Sequence, residues 1–124
     1  MIRLTLTEDQ ARIVSIATEF YARVRMGQFQ EIVWHTLDMS AETGDYCRRR
    51  DEAERLLLLA RKQLYPDLHG LGHSYGIGKF KDADMSFDVH QVIRHAMGDD
   101  RPPFSYYDLP KIEIVREENG CNLA

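Results

Sequence analysis

A chain of 124 residues with 44 % hydrophobic and 29 % charged side chains has the length and make-up of one folded domain, residues 1–124, able to bury a core without disulfides or a structural metal. Sixteen Lys and Arg against twenty Asp and Glu leave a formal charge of −4, which excludes a general electrostatic grip on DNA or RNA but not a local Arg cluster for a small anion. The longest apolar run, Leu56 to Ala60, is far short of a membrane span. Met1-Ile2-Arg3 has no signal-peptide pattern, and Cys47 and Cys121 lie in no CxxC or metal-type spacing, so two free thiols and a cytoplasmic location are expected.

Ile2, Leu4 and Leu6 alternate with Arg3 and Thr5, which predicts a short strand with one buried face. Thr7-Glu8-Asp9-Gln10 has capping-box spacing, with acidic residues suited to a helix start. The first helix is predicted to run to about Val24, with Ile13, Ala17, Phe20 and Val24 as its apolar stripe and Ile16 and Tyr21 widening it. Gly27 then either caps that helix or sits in a longer bent one. A second helix is expected from Gln28 to about Met39, and a loop over 40–45.

The third helix, Tyr46 to Leu64, places Ala53, Leu56, Leu57, Ala60 and Leu64 on one stripe with Leu58 and Leu59 beside it. Apolar surface nearly all round implies packing against another subunit or burial at the centre of the domain, and the subunit contact is the favoured reading. Pro66 stops this helix. His69 to Gly78, with Gly70, Gly72, Gly76 and Gly78, reads as a loop whose backbone is free to approach a ligand closely. A fourth helix is predicted from Asp82 to about Met97, with Met85, Val89, Val92, Ile93 and Ala96 inward and Asp88, Gln91, Arg94 and His95 off that stripe. Lys111 to Glu117 is predicted as a closing strand paired with the first. The expected fold class is therefore α+β and α-rich: about four helices with a small antiparallel sheet made from the N- and C-terminal strands.

Few of the possible chemical constellations are specific. Gly70-Leu71-Gly72 is preceded by a helix, and Gly76 falls one residue late for a dinucleotide fingerprint. His69 and His73 lie in a loop without a third ligand, and His90 and His95 fall on different helix faces. Neither Cys47, nor Ser74, nor the Asp82 and Asp84 pair sits in a diagnostic catalytic motif, so no enzymatic activity is expected, and no cofactor or metal. Anion recognition fits better. Arg23, Arg25, Arg94 and Arg101 lie near glycine or aromatic neighbours and have the fork that matches phosphate, while Phe29, Tyr75, Phe80, Phe104, Tyr106 and Tyr107 offer faces for a base.

Three stretches occur in an order that carries a resemblance: Phe20 to Phe29 (FYARVRMGQF), Ser74-Tyr75-Gly76-Ile77, and Gln91-Val92-Ile93-Arg94-His95. With Leu4-Thr5-Leu6-Thr7 and Leu109-Pro110-Lys111-Ile112 at the ends, the whole chain resembles the first family of phage Thoeris anti-defence proteins. That resemblance implies a viral protein in the host cytoplasm that is not an enzyme. Members of the family act as sponges for the cyclic ADP-ribose isomers made by bacterial TIR-domain proteins, so that the defence effector never meets its signal. Some members also hold cyclic oligonucleotides at separate sites, and they assemble through long helices into homo-oligomers with pockets near subunit contacts. On the matching positions, the implied ligand-binding residues are Arg25, Gln28 and Phe29 at the helix junction, Ser74, Tyr75 and Gly76 in the loop, and Gln91, Arg94 and His95 on the fourth helix; Arg101 is added for its place after Asp99-Asp100. Arg would neutralise phosphate, Gln28 and Gln91 would meet ribose or base edges, and Phe29 or Tyr75 would stack. The alternative reading is a phage-type inhibitor that binds a host protein directly; a nucleotide hydrolase is a third.

Overall fold

The computed structural model describes residues 1–38, 42–105 and 107–113. They form four helices: α1 (Glu8–Arg25), α2 (Gln30–Thr36), α3 (Thr43–Leu64) and α4 (Lys81–Ala96). The capping box is present at the start of α1: the Thr7 hydroxyl accepts from the Gln10 N–H at 3.1 Å, and the Gln10 side chain accepts from the Thr7 N–H at 3.0 Å. Gly27 ends the same helix as a left-handed cap, with φ +95°. Its N–H reaches the Val24 carbonyl and the Gln28 N–H reaches the Arg23 carbonyl, the two bonds of a Schellman motif. Gly98, at φ +110°, closes α4 with the same pair of bonds, to His95 and Arg94.

The expected α+β class is overturned: the described residues contain helices and no strand. Ile2 and Leu4 are 96 % and 75 % exposed, so the alternating segment runs through solvent with no apolar surface to meet. Residues 111–113 of the expected closing strand are irregular, and 114–117 lie outside the described residues. Alternation marks an extended segment, but a strand forms only where a second backbone takes up its N–H and C=O groups. The second helix is also shorter than expected, ending at Thr36, and Met39 lies outside the described residues.

The fold is organised by an antiparallel pairing of α1 with α4. Ser15 meets His90, Thr18 meets Ser86, and Tyr21 meets Asp82. Ala22 and Ala83, both fully buried, join Met26 in the core cluster, and Tyr75, Phe80 and Phe87 pack against it. Small side chains let the two helices approach closely, so their buried faces are Ser15 and Ala22 on α1, and Ala83, Asp84, Asp88, His90, Gln91 and Ile93 on α4. The apolar stripe expected to face the core of α1 is only partly inward: Ile13 is 65 % exposed and Ile16, Ala17 and Tyr21 are exposed, while Phe20 and Val24 are half-buried and Phe20 packs against His35 of α2.

A buried arginine ties α3 to this pair. Arg61, 2 % exposed, donates to the carbonyls of Gly27 (3.0 Å), His73 (2.9 Å) and Gly70. The Tyr65 hydroxyl adds a 2.7 Å bond to the Arg25 carbonyl. Leu56, Leu59 and Leu64 on α3 are exposed, so this helix is not a central buried one within a single chain.

Candidate functional site

A cavity of about 320 Å³ opens where the end of α1, the glycine-rich loop, α4 and the segment after α4 converge. Arg23 comes from α1 and Met26 from its C-cap, Gln28 from the turn that follows, Ser74 to Ile77 from the loop, and Phe104 and Ser105 from the later segment. α4 supplies Ala83, Asp84, Phe87, Asp88 and Gln91, whose three- and four-residue spacings put them on one helix face.

Backbone and side-chain bonds hold each wall. The Tyr75 N–H donates to the Met26 carbonyl at 2.9 Å, which ties the loop to the end of α1. The Tyr75 ring meets Phe80 and Tyr65 edge-on, with centroids 5.3 and 5.4 Å apart. Its hydroxyl donates to Asp67 at 2.6 Å, which lowers the Asp67 carboxyl and raises the Tyr75 phenol from their ordinary ranges. The Gln91 amide clasps the backbone of Phe104 on both sides, donating to its carbonyl at 2.8 Å and accepting its N–H at 3.0 Å. Ser105 donates to Asp88, and the Gly78 N–H donates to Asp84 at 3.0 and 3.3 Å. Burial pushes the Asp88 carboxyl up; the Ser105 hydrogen bond opposes this and the Asp84 charge adds to it. Arg23 donates to Gln28 at 3.1 Å and lies 3.7 Å from both Glu19 and the buried Glu31.

Of the residues singled out from sequence, Gln28, Ser74, Tyr75, Gly76 and Gln91 line the cavity, as do Arg23 and Phe104 from the wider set of arginines and aromatics. Gln91, however, has both ends of its amide occupied by Phe104, so it builds the wall. The other candidates lie elsewhere. The Arg25 guanidinium sits 3.8 Å over the Phe80 ring centroid and bonds Asp82 at 3.2 Å and the Tyr65 hydroxyl at 2.7 Å. Phe29 packs against Tyr65, beside Leu57, Leu58 and Arg61. Arg94, His95 and Arg101 converge on Asp99: Arg94 at 3.5 Å, Arg101 at 2.8 Å, and His95 through the Asp99 carbonyl at 2.9 Å.

Sequence reasoning missed Asp88, Phe87 and Ser105, and weighed Asp84 only as half of a catalytic pair with Asp82. Asp84, Asp88 and Gln91 share one helical row, a usable signal, but Asp88 and Gln91 read as the solvent side of an amphipathic helix. A Ser15–His90–Glu19 row also emerges, with 2.9 Å separations, and superficially matches a catalytic triad. It lies inside the α1–α4 contact and away from the cavity, and His90 Nδ1 is also 2.9 Å from the Ser15 carbonyl. That arrangement staples two helices. Among the described residues, no group of three or more His, Cys, Asp or Glu is placed to hold a metal ion, and no helix is long and apolar enough to cross a membrane.

Compared with known proteins, the chain matches no family model, no curated protein and no solved structure.

Proposed function

We propose that this is a phage anti-defence protein that binds a cyclic ADP-ribose isomer in the host cytoplasm and sequesters it uncleaved. One observation carries the reading. Gln28, the Ser74–Gly76 segment and Gln91 come from the three separate stretches that carry the family resemblance, and they meet around one cavity. A cavity of this size with aromatic walls and a few placed polar groups suits a small organic ligand. Tyr75, Phe87 and Phe104 provide the apolar faces, and Ser74 and Gln28 provide polar contacts.

The protein acts as a homo-oligomer in this reading. Trp34 on α2 and Leu56, Leu59 and Leu64 on α3 are exposed, and large exposed apolar surface marks an association site. The same exposure favours the second reading, direct binding of a host protein.

The deciding experiment incubates the purified chain with 1″–2′ and 1″–3′ cyclic ADP-ribose, filters it, denatures it by heat and analyses what is released by mass spectrometry. Intact ligand recovered only after heating supports sequestration, and Arg25→Ala and Arg94→Ala then test whether those cations contribute to capture. A changed product moves the case to a hydrolase. Absence of retention sinks the assignment and turns attention to host proteins.

A further inference from the structure

We infer that the cavity takes the uncharged, hydrogen-bond-donating part of the ligand, a nucleoside with its ribose hydroxyls and base amino edge, and keeps phosphate outside; this rests on the nucleotide-binding reading above. Asp84 and Asp88, 5 % and 4 % exposed, both line the cavity from one face of α4. Arg23 is the cation in the lining, and it is already held between Glu19 and Glu31. A phosphate placed here would meet two carboxylates in a partly dry space, where like charges repel far more strongly than in water.

Carboxylates only accept hydrogen bonds. Asp84 receives the Gly78 N–H, and Asp88 receives the Ser105 hydroxyl on Oδ2. The hydrogen bond described at Asp88 is made to Oδ2, so Oδ1 has the capacity to accept a hydroxyl or amine of a ligand in the cavity that Asp88 lines. The volume fits as well: about 320 Å³ is near the lower bound for small-molecule pockets, so one nucleoside is a better match than a whole dinucleotide. Met26 and Phe87 give such a group apolar contact on its faces.

The test uses the full chain, with adenosine and inorganic pyrophosphate as probes, followed by calorimetry and ligand-observed NMR. Adenosine is expected to bind and pyrophosphate not to displace it. Asp88→Asn is expected to weaken both adenosine binding and cyclic ADP-ribose capture about tenfold or more, the loss that follows when a hydrogen bond to a charged acceptor is weakened. If phosphate occupied the cavity, removing that negative charge would tighten capture instead. Tighter capture by Asp88→Asn, or displacement of adenosine by pyrophosphate, overturns the inference. So does capture of cyclic ADP-ribose with no adenosine binding at millimolar concentration, and that outcome leaves the proposed function standing. Adenosine binding without cyclic ADP-ribose capture does the reverse. If the variant fails to fold by circular dichroism, the probe competition on the unaltered chain decides alone.

Discussion

Arg61→Met is expected to destabilise the protein by about 2–4 kcal/mol, although it replaces a buried charge with an apolar side chain of similar length. The guanidinium donates to three backbone carbonyls, on Gly27, Gly70 and His73. Hydrogen bonds to a charged group contribute roughly 1.5–3 kcal/mol each, and a buried carbonyl left without a donor costs about 1–3 kcal/mol. Against this stands the desolvation of the guanidinium, several kcal/mol, which methionine removes. The Gly27 carbonyl is buried and loses its donor outright, while those of Gly70 and His73 are part-buried and recover some hydration, so three lost bonds outweigh the relieved charge and the balance falls on the side of loss. For a chain of this length, 2–4 kcal/mol corresponds to a drop in Tm of roughly 8–15 °C. Thermal unfolding by circular dichroism reads the drop, and amide exchange should quicken first in residues 70–75. Arg61→Lys keeps the charge but lacks the planar fork, and should fall between the two. A Tm for Arg61→Met within about 2 °C of the parent, with unchanged exchange in the loop, would refute the reasoning.

Gly27→Ala should cost about 2–3 kcal/mol in urea unfolding: φ +95° carries roughly 1–2 kcal/mol for any residue with a Cβ, and that atom would stand 2.4 Å from Cδ1 of the buried Leu68. An unchanged midpoint would mean that the turn rearranges freely. The Asp99 carboxyl is held well below the usual range, first by the Arg101 side chain, then by its N–H, with Arg94 adding charge. A depressed carboxyl stabilises the fold above its ordinary value near 4 and loses that contribution as pH falls below it, so Tm should drop between about pH 4 and 2, and drop less steeply in Asp99→Asn. Asp88 has the opposite sign. Its raised carboxyl penalises the fold once pH rises above the ordinary value near 4, so Asp88→Asn should raise Tm at pH 7 and change it little at pH 4; equal effects at both would show that its charge is not the cause.

The positions of the helices were legible because local chemistry sets them. Thr7 with Gln10, Gly27 and Gly98 start or stop helices through bonds made within a few residues, and Pro66 stops one by having no N–H to give. Which face turns inward was not legible. Apolar periodicity assumes that the apolar stripe seeks the core, and in α1 the close approach to α4 selects Ser15 and Ala22 while Ile13 and Ile16 stay outside. On α4 the same exchange hides Asp84, Asp88 and Gln91 and leaves Met85 exposed. Arg61 was invisible for another reason: its partners are carbonyls of distant residues, and a carbonyl carries no side-chain signature. The Gln28, Ser74–Gly76 and Gln91 part of the site could be found from motif order, whereas the carboxylates beside it looked like solvent-facing charge.

The pairing of the arginines bears on how the proposed anionic ligand would be held. Arg25 is bonded to Asp82, and Arg94 and Arg101 share Asp99, so none of the three enters the cavity. Such pairing does not remove them from ligand binding. Arg25 and Asp82 are 35 % and 51 % exposed, and exposed ion pairs are worth about 0–1 kcal/mol, so exchanging that carboxylate for a phosphate costs little, whereas Asp99 is held more firmly by its two arginines. A pyrophosphate offers more charge and more acceptor atoms to the same fork. In the proposed reading, the buried face of α4 and the arginines around it would divide the work by charge: a neutral nucleoside inside, beside Asp88, and phosphate outside, where Arg25 has an exposed partner to give up.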